Sequence, residues 1–418
     1  MHNWKKNVTL FMVGQGLSIF GSMMVHYAVM WHITLKTQSG VMMTLLTIAG
    51  TIPMFLSSPL GGVWADRFNK KYLINIADGS IAIVSLIMAI LFSVGIESIA
   101  LLLMCLVIRS FGQGIQNPAV SALIPLITPE EKLVKVNGIN GSIQSLAMFA
   151  SPIAGAAILA LAPIYSILYI DVVTATLGIV ILLFFVKTPK HEKKESDLHY
   201  FHDIKEGLGY IKGHAFVRKF LVLAAFYYIL ISPVAIMTPL QVARNWGADI
   251  MSIFHFGVGA EHRLAIIEVT FSIGMILGGA IIGAWGGFKN KSYTMGLGIA
   301  LSALGTIGLG LLTNFWFYSI CMGLNGVFAA ISSAPIMAMI QTNVESNYMG
   351  RVFSVLTMIS CIAMPIAMLV WGPLGDIIKI DWLLIGSGIA LFAFSFISFF
   401  DKVLLEAGRK GGENHETI

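Results

Sequence analysis

The sequence predicts an all-α polytopic membrane protein, and three observations support that prediction. Hydrophobic residues make up 57% of the 418 residues, and charged residues make up only 11%. A soluble chain of this length carries roughly a quarter charged residues, and the mean hydropathy here is +0.84. The apolar residues also form runs of about 20 or more, which is the length that an α-helix needs to cross a bilayer.

Twelve spans are predicted from these runs. Their limits are 8–34, 41–64, 72–95, 98–124, 133–160, 163–187, 217–243, 263–286, 292–313, 315–341, 350–374 and 381–400. The three cysteines, Cys105, Cys321 and Cys361, lie within spans and lack paired or metal-ligand spacing. They are therefore interpreted as packing residues, and neither a metal nor another cofactor is predicted.

Basic residues orient the spans. With both termini in the cytoplasm, the cytoplasmic segments hold 21 Lys and Arg residues and the outer loops hold 4, while Arg109 lies within a span. This imbalance follows the positive-inside rule. It predicts a multi-pass protein of the cell membrane with both termini cytoplasmic. The basic residues are explained by topology, so no nucleic-acid partner is predicted.

The chain divides into two sets of six spans. We predict a first bundle at 1–187, a cytoplasmic linker at 188–216, a second bundle at 217–400 and a cytoplasmic tail at 401–418. An internal similarity between residues 121–155 and 333–368 supports two equivalent halves.

An amphipathic stripe lies in and beside the linker. Phe201, Ile204, Leu208 and Ile211 recur there at helical spacing among charged residues. The stripe could lie on the membrane surface, pack under the bundle, or only connect the two halves.

A short charged loop separates the second and third spans. It runs Gly62-Val-Trp-Ala-Asp66-Arg67-Phe-Asn-Lys70-Lys71. Glycine permits close backbone approach, and an acid at the C-terminal end of a helix opposes the macrodipole, so Asp66 is expected to have a compensating partner. The alternative is that these charges only determine topology.

Ionisable residues inside spans are costly and are therefore candidate functional groups. Arg109 lies midway along the fourth span and must face the bundle interior or an anion. Asp171 and Glu268 lie in the sixth and eighth spans, in the predicted outer half of the membrane, and are candidate proton or cation sites. Asp78 lies nearer the cytoplasmic end of the third span, where it could pair locally, and His26 is a weaker proton-site candidate in the first span.

Small residues line the fifth span. Ala147, Ser151, Pro152 and Gly155 combine near-four-residue spacing with a proline, a pattern typical of a close-packing, kink-prone helix face.

Several motifs together carry a family resemblance. The Gly62–Lys71 loop, the Arg109–Gly112 segment, the Ser151-Pro152 pair and the Gly350–Ser354 start of the eleventh span resemble the major facilitator superfamily. Over nearly the whole chain the pattern is similar to its macrolide-efflux branch of drug:proton antiporters. The resemblance implies the major facilitator fold, with two pseudo-symmetric six-helix bundles and alternating access.

The resemblance also implies roles for particular residues. Gly62, Asp66, Arg67, Lys70 and Lys71 would form a latch between the halves at the cytoplasmic side. The equivalent loop of the second half, 283–291, lacks the acid, so the latch would be asymmetric. A central cavity for bulky amphiphiles would draw on amide, aromatic and methionine side chains: Gln15, Gln113, Asn117, Tyr227, Tyr228, Phe328 and Met337.

The resulting hypothesis is a monomeric exporter, not an enzyme, that exchanges small amphiphilic compounds such as macrolides for protons. The alternative is an exporter or facilitator of a siderophore or another metabolite. A membrane-embedded enzyme or receptor is disfavoured because nucleophile motifs, zinc-ligand pairs and a sizeable soluble domain are missing from the sequence. The lack of a Gly-x-x-x-x-Gly-Lys loop argues against ATP as the energy source.

Overall fold

The computed structural model describes residues 4–188, 209–211, 213–246, 251–253, 256–258 and 260–410. Within these ranges twelve helical segments are long and apolar enough to cross a membrane, and each overlaps one predicted span. The predicted fold class is confirmed. Several helices run past the predicted limits; the first, for example, covers Trp4–Thr37 where 8–34 was predicted.

The first six spans are α1 to α6. Their bounds are Trp4–Thr37, Gly40–Arg67, Lys70–Ser93, Ile99–Ile127, Leu133–Leu161 and Ile164–Val180. A 3-10 turn at Glu130–Lys132 precedes α5, and a π-helical turn at Ile181–Phe185 follows α6.

The seventh span has an irregular middle. It consists of α7 (Ala215–Ser232) and α8 (Thr238–Trp246), joined by a π-helical turn at Pro233–Met237. Pro233 has no backbone N–H to donate, and the regular α-helical hydrogen bonding changes at this residue.

The remaining helices complete the span set and add a short terminal helix. They are α9 (Ala260–Trp285), α10 (Lys291–Leu311), α11 (Phe315–Asn343), α12 (Ser346–Ile377), α13 (Ile380–Ser395), α14 (Ile397–Phe400) and α15 (Lys402–Lys410). An antiparallel hairpin of β1 (Met251–Ile253) and β2 (Phe256–Val258) lies before α9. Three-residue strands are too short for their alternation to be recognised in the sequence.

Asparagines begin three of the helices. Asn69 accepts from the Lys71 N–H at 3.0 Å at the start of α3, and Asn290 accepts from the Ser292 N–H at 3.0 Å at the start of α10. Asn314 caps α11 in the same way. A side-chain oxygen at this position satisfies backbone N–H groups that have no partner within the helix. The caps of α3 and α10 fall at corresponding points of the two halves of the sequence.

The chain forms two compact units. The first comprises Met1–Gln38, Leu45–Asp197 and Asp249–Ala265, and the second comprises Ser39–Thr44, Leu198–Ala248 and Ile266–Ile418. Each unit has its own apolar core; Phe11, Ile74 and Leu123 are buried in the first, and Val217, Met339 and Leu391 in the second. The start of α2 therefore belongs to the second unit.

The end of the linker packs into the second unit. Ile211 joins the core of that unit, and the Tyr210 ring stacks on Tyr348 with centroids 4.1 Å apart. Of the arrangements considered for the amphipathic stripe, Ile211 therefore shows packing against the bundle. Phe201, Ile204 and Leu208 lie outside the described residues.

The tail forms a helix as far as Lys410. Asn290 Nδ2 donates to the Leu405 carbonyl and Asn343 Nδ2 to the Ala407 carbonyl, each at 3.0 Å. These contacts attach α15 to the second unit.

Candidate functional site

A buried ion pair joins α4 and α6. Arg109 Nη1 donates to Asp171 Oδ2 and to the Ser85 hydroxyl oxygen, and Arg109 and Asp171 are both almost wholly buried. Ser85 Oγ donates to the same carboxylate oxygen at 2.7 Å, and Ser22 Oγ donates to Asp171 Oδ1 at 3.3 Å. Both oxygens of Asp171 therefore have partners, and its charge is balanced by Arg109. Four helices of the first unit meet in this group of residues.

A second buried carboxyl, Asp78 in α3, has only neutral partners among the described residues. Ser18 Oγ donates to Asp78 Oδ1 at 3.3 Å, and Gln116 Nε2 donates to the same oxygen. Gln116 Nε2 also lies 3.5 Å from Gln15 Oε1. The local partners of Asp78 are thus serine and amide side chains; Lys71, at the start of α3, donates from Nζ to the Val186 carbonyl at 2.8 Å.

The two groups form layers along the first unit. Asp78 and Ser85 are seven residues apart on α3, and Arg109 and Gln116 are seven apart on α4. Seven residues are two helical turns, so each pair lies on one helix face with a rise of about 10 Å between the members. We name the groups the Asp78 layer (Gln15, Ser18, Asp78 and Gln116) and the Arg109 layer (Ser22, Ser85, Arg109 and Asp171).

The layers could have been found from spacing. Gln15, Ser18 and Ser22 fall at positions i, i+3 and i+7 of the first span, which places three polar side chains on one helix face. The partners on α3 and α4 have the seven-residue spacing noted above. The pairing between helices was not visible because sequence spacing does not fix how helices are rotated against each other.

Glu268 in α9 belongs to the second unit and is partly buried. Within the described part of the chain, no ion pair or hydrogen bond is recorded for its carboxylate. His26 in α1 is exposed, and its ring contacts Tyr27 edge-on at a centroid distance of 5.9 Å. The candidate proton groups are thus distributed over both units.

The candidate cavity residues differ in accessibility. Gln15 is buried in the Asp78 layer, whereas Gln113 is partly buried and Asn117 is exposed on α4. In the second unit, Met337 is exposed, while Tyr227, Tyr228 and Phe328 are partly buried. Tyr227 also packs against the apolar core of that unit. Part of the Tyr227 side chain is therefore covered by the protein itself and needs no ligand to explain it.

The small residues of α5 pack against α1. Ser151 Oγ donates to the Phe20 carbonyl at 3.1 Å, and Ala147, Pro152 and Gly155 are buried. A Cβ at Gly155 would lie 3.6 Å from the Met24 carbonyl oxygen. The contacts of Ser151 and Gly155, with the burial of the other two residues, are those of a packing face within the first unit.

The segment Gly62–Lys71, predicted as a loop, is mostly helical: α2 continues to Arg67 and α3 begins at Lys70, so only residues 68 and 69 lie between them. The closest backbone approach falls one residue before the predicted glycine. A Cβ at Gly61 would lie 2.7 Å from the backbone of Gly114, whereas one at Gly62 would meet nothing within 4 Å. Asp66 is exposed, and no partner for it is recorded among the described residues. Arg67 is exposed too, and Lys70 and Lys71 are partly buried. The latch role of Gly62 and Asp66 stays a prediction.

A charged cluster not predicted from the sequence lies in the second unit. Asp376, near the C-terminal end of α12, accepts from the N–H groups of Gly40 at 2.6 Å and Val41 at 3.0 Å. It also accepts from Ser39 Oγ at 2.9 Å and Arg244 Nη2 at 2.7 Å. The sequence does contain an indication of this cluster: Asp376 is an acid near the C-terminal end of its helix, where it opposes the macrodipole and needs a compensating partner. The same argument was applied above to Asp66.

Twelve helices of the described residues that can cross a membrane, with ionisable groups held inside them, define a polytopic membrane protein. The chain belongs to the Major Facilitator Superfamily, whose family model matches residues 8–261.

Relatives from two species bear the name Macrolide efflux protein A. The protein of Streptococcus pyogenes is 25% identical over 400 residues, which cover 95% of this chain and 96% of the relative. That of Enterococcus faecalis is 26% identical over 327 residues, covering 77% of this chain and 98% of the relative. An uncharacterized MFS-type transporter of Bacillus subtilis is 22% identical and covers 88% of this chain and 86% of that protein.

Solved structures share the fold. A POT family transporter crystallised with 5-aminolevulinic acid superposes with a TM-score of 0.71 at 13% identity, covering 94% of this chain and 95% of that chain. A bacterial homologue of the lysosomal transporter Spinster superposes with a TM-score of 0.67 at 13% identity, covering 98% of each chain. At such identity the likeness concerns the fold alone.

Proposed function

We propose that this protein is a proton-driven exporter of small amphiphilic compounds, macrolides among them, that works by alternating access. The observation that supports this proposal most directly is Glu268, a carboxyl group inside a spanning helix that has no basic partner among the described residues. The streptococcal macrolide efflux protein supports the substrate class, because it is similar over nearly the full length of both chains. The cell membrane is the proposed location, with both termini cytoplasmic and the protein acting as a monomer.

Glu268 is suited to carry a proton. A carboxyl in apolar surroundings without a compensating cation binds a proton more readily than one in water, so its charge can be gained and lost as its surroundings change. Asp171 differs, because Arg109 balances its charge in the structure. We therefore assign Asp171 and Arg109 to an ion pair that maintains the first unit, and Glu268 to proton exchange.

Proton exchange supplies enough energy for export. One charge moving through about 100 mV releases roughly 2.3 kcal/mol. Since each 1.4 kcal/mol corresponds to a factor of ten, a single proton supports roughly fiftyfold accumulation before a pH gradient is counted.

The accessible side chains fit amphiphilic substrates. Gln113 and Asn117 offer amide groups, and Tyr228 and Met337 offer apolar contacts that adapt to different shapes. Such contacts set few geometric demands, which suits a site that accepts more than one compound.

The test measures erythromycin transport into everted membrane vesicles energised by respiration. The wild type is expected to accumulate erythromycin until an uncoupler collapses the gradient, and Glu268→Gln is expected to lose at least 90% of the uphill accumulation. Glu97→Gln is the matched control, because Glu97 is an exposed acid paired with Lys36 at 3.0 Å.

Two results would contradict the proposal. Accumulation by Glu268→Gln at the wild-type level would exclude the assigned proton role. Wild-type transport that ignores the uncoupler, or absence of erythromycin transport, would favour the alternative of a facilitator or an exporter of another metabolite.

A further inference from the structure

The Asp78 layer contains buried polar atoms that its own contacts leave unpartnered. Asp78, Gln15 and Gln116 are each more than nine-tenths buried. Among the described residues, Asp78 Oδ2 and Gln15 Nε2 have no hydrogen-bond partner. A buried polar atom without a partner is costly, so these two atoms indicate that the layer is incomplete as it stands.

We propose that the Asp78 layer is a proton-binding site, with the proton carried on Asp78 Oδ2. The proposal rests on proton-driven transport and adds to Glu268 a second proton site, in the first unit. Binding is a simple protonation, in which the carboxylate and one proton give the neutral carboxylic acid.

The geometry distinguishes Asp78 from Asp171. Both are buried carboxyls in the same unit, but Asp171 has hydrogen-bond donors at both oxygens and an ion pair with Arg109. Asp78 has donors at one oxygen only, and both donors, Ser18 and Gln116, are neutral. An ionised buried carboxylate requires compensation by a cation or by several donors, and a proton on Oδ2 removes that requirement.

The neighbouring helices supply few other charges. On α1, the polar residues that face Asp78 are Gln15 and Ser18. On α4 it is faced by Gln116, with Arg109 two turns away, and the charged residue of α6 on this side is Asp171. The π-helical turn that also packs against α3 contains Ile181, Leu182, Leu183, Phe184 and Phe185. Arg109 is already bound to Asp171, so a cation that could neutralise Asp78 is missing from this set.

A proton fits the layer better than a metal ion. Gln116 Nε2 lies between Asp78 Oδ1 and Gln15 Oε1, the two oxygens that a cation would have to join. The amide nitrogen is a donor and cannot act as a ligand in that position.

The first test detects the proton without any transported compound. We would record infrared difference spectra of the full-length protein in liposomes while the pH is stepped between about 5 and about 9, a range that covers shifted carboxyl titrations. The wild type is expected to show a protonated-carboxyl C=O band that is lost in Asp78→Asn and retained in Glu97→Gln. Gln116→Ala keeps the carboxyl but removes a donor, so the band should persist at a changed frequency.

Three outcomes would overturn the proposal. They are a spectrum in which Asp78→Asn removes no band, a band whose frequency does not respond to Gln116→Ala, and loss of the band on adding Na⁺ at constant pH. The last result would show a metal ion in place of the proton. Because Gln116→Ala leaves Asp78 in place, the test stands even where Asp78→Asn fails to fold.

The second test connects the site to transport. In proteoliposomes, Asp78→Asn should exchange labelled for unlabelled erythromycin at no less than half of the wild-type rate but lose at least tenfold in accumulation driven by a pH gradient. Retained accumulation would overturn the coupling role. If the wild type does not transport erythromycin, the proposed substrate class fails while the infrared result still decides the proton site.

Discussion

Asp376 near the end of α12 accepts a hydrogen bond of 2.6 Å from the backbone N–H of Gly40, the first residue of α2. The first N–H groups of a helix have no partner within it, and a negative charge at that end is favourable. A residue more than 300 positions away in the sequence thus serves as the N-terminal cap of α2. Ser39 and Arg244 complete the surroundings of the same carboxylate.

Asp376→Asn should therefore destabilise the protein. We expect a loss of about 1–3 kcal/mol, because charge-assisted hydrogen bonds to backbone N–H groups are replaced by weaker neutral ones. The measurement is the thermal unfolding midpoint of the purified protein in detergent. Ser39→Ala is the comparison variant: it removes the neutral donor to Asp376 and the acceptor of the Met42 N–H at 3.4 Å, and it should lower the midpoint less. A midpoint for Asp376→Asn at or above that of Ser39→Ala would contradict the capping role.

Arg109 and Asp171 should prove interdependent. Removing one member of a buried pair leaves the other charge uncompensated, which costs about 3–5 kcal/mol, whereas replacing both by apolar residues is often close to neutral. We expect Arg109→Met and Asp171→Leu each to reduce folded yield and unfolding midpoint strongly, and the double variant to recover most of the loss. Additive losses in the double variant would show that the two side chains are not acting as a pair.

Much of the fold could be predicted from the sequence, because one strong signal governs it. Long apolar runs must form helices in a bilayer to satisfy their backbone groups, so twelve spans follow from hydropathy without knowledge of packing. The β1–β2 hairpin and the helix at 402–410 were not predicted, since the strands are short and the second segment is charged. Its attachment through Asn290 and Asn343 depends on tertiary contacts.

The candidate site could be predicted only as a set of separate residues. The free-energy cost of placing an ionisable side chain in the membrane identifies four residues individually as candidates: Arg109, Asp171, Asp78 and Glu268. The sequence does not show that Arg109 pairs with Asp171 and leaves Asp78 without a cation, because partner choice depends on helix rotation and on small residues that bring backbones together. Asp376 lies at a helix end near the interface, where the cost of charge is low and the signal is correspondingly weak.

The attachment of α15 should weaken in acid. Burial alone would raise the pKa of Asp401, but hydrogen bonds from Lys219 and from the Leu404 and Val403 N–H groups outweigh it and lower that pKa. A lowered carboxyl pKa stabilises the fold above the unfolded value of about 3.9, and the contribution is lost as the pH falls through the folded value.

The pH window therefore lies below about 4. Once exchange is corrected for the intrinsic rate at each pH, the protection of the Lys402–Lys410 amides should fall there in the wild type. In Asp401→Asn the protection should already be lower at neutral pH and change less with acid. Because the Lys219 side chain is 41% exposed, the effect should be modest, below about 1 kcal/mol. Equal acid sensitivity in wild type and Asp401→Asn would contradict the assignment.

The neighbouring glycines Gly61 and Gly62, near the C-terminal end of α2, should respond differently to alanine. A methyl group at Gly61 meets the Gly114 and Ile115 backbone at 2.7 Å, so Gly61→Ala should force α2 from α4 and cost about 1–3 kcal/mol. At Gly62 nothing lies within 4 Å, and alanine should raise stability by up to about 1 kcal/mol through its helix propensity. The unfolding midpoints of the two variants provide the comparison. If Gly62→Ala keeps that stability but loses erythromycin transport, Gly62 acts in a conformation other than the present one, as a latch requires; unchanged transport would limit the latch to the charged residues after it.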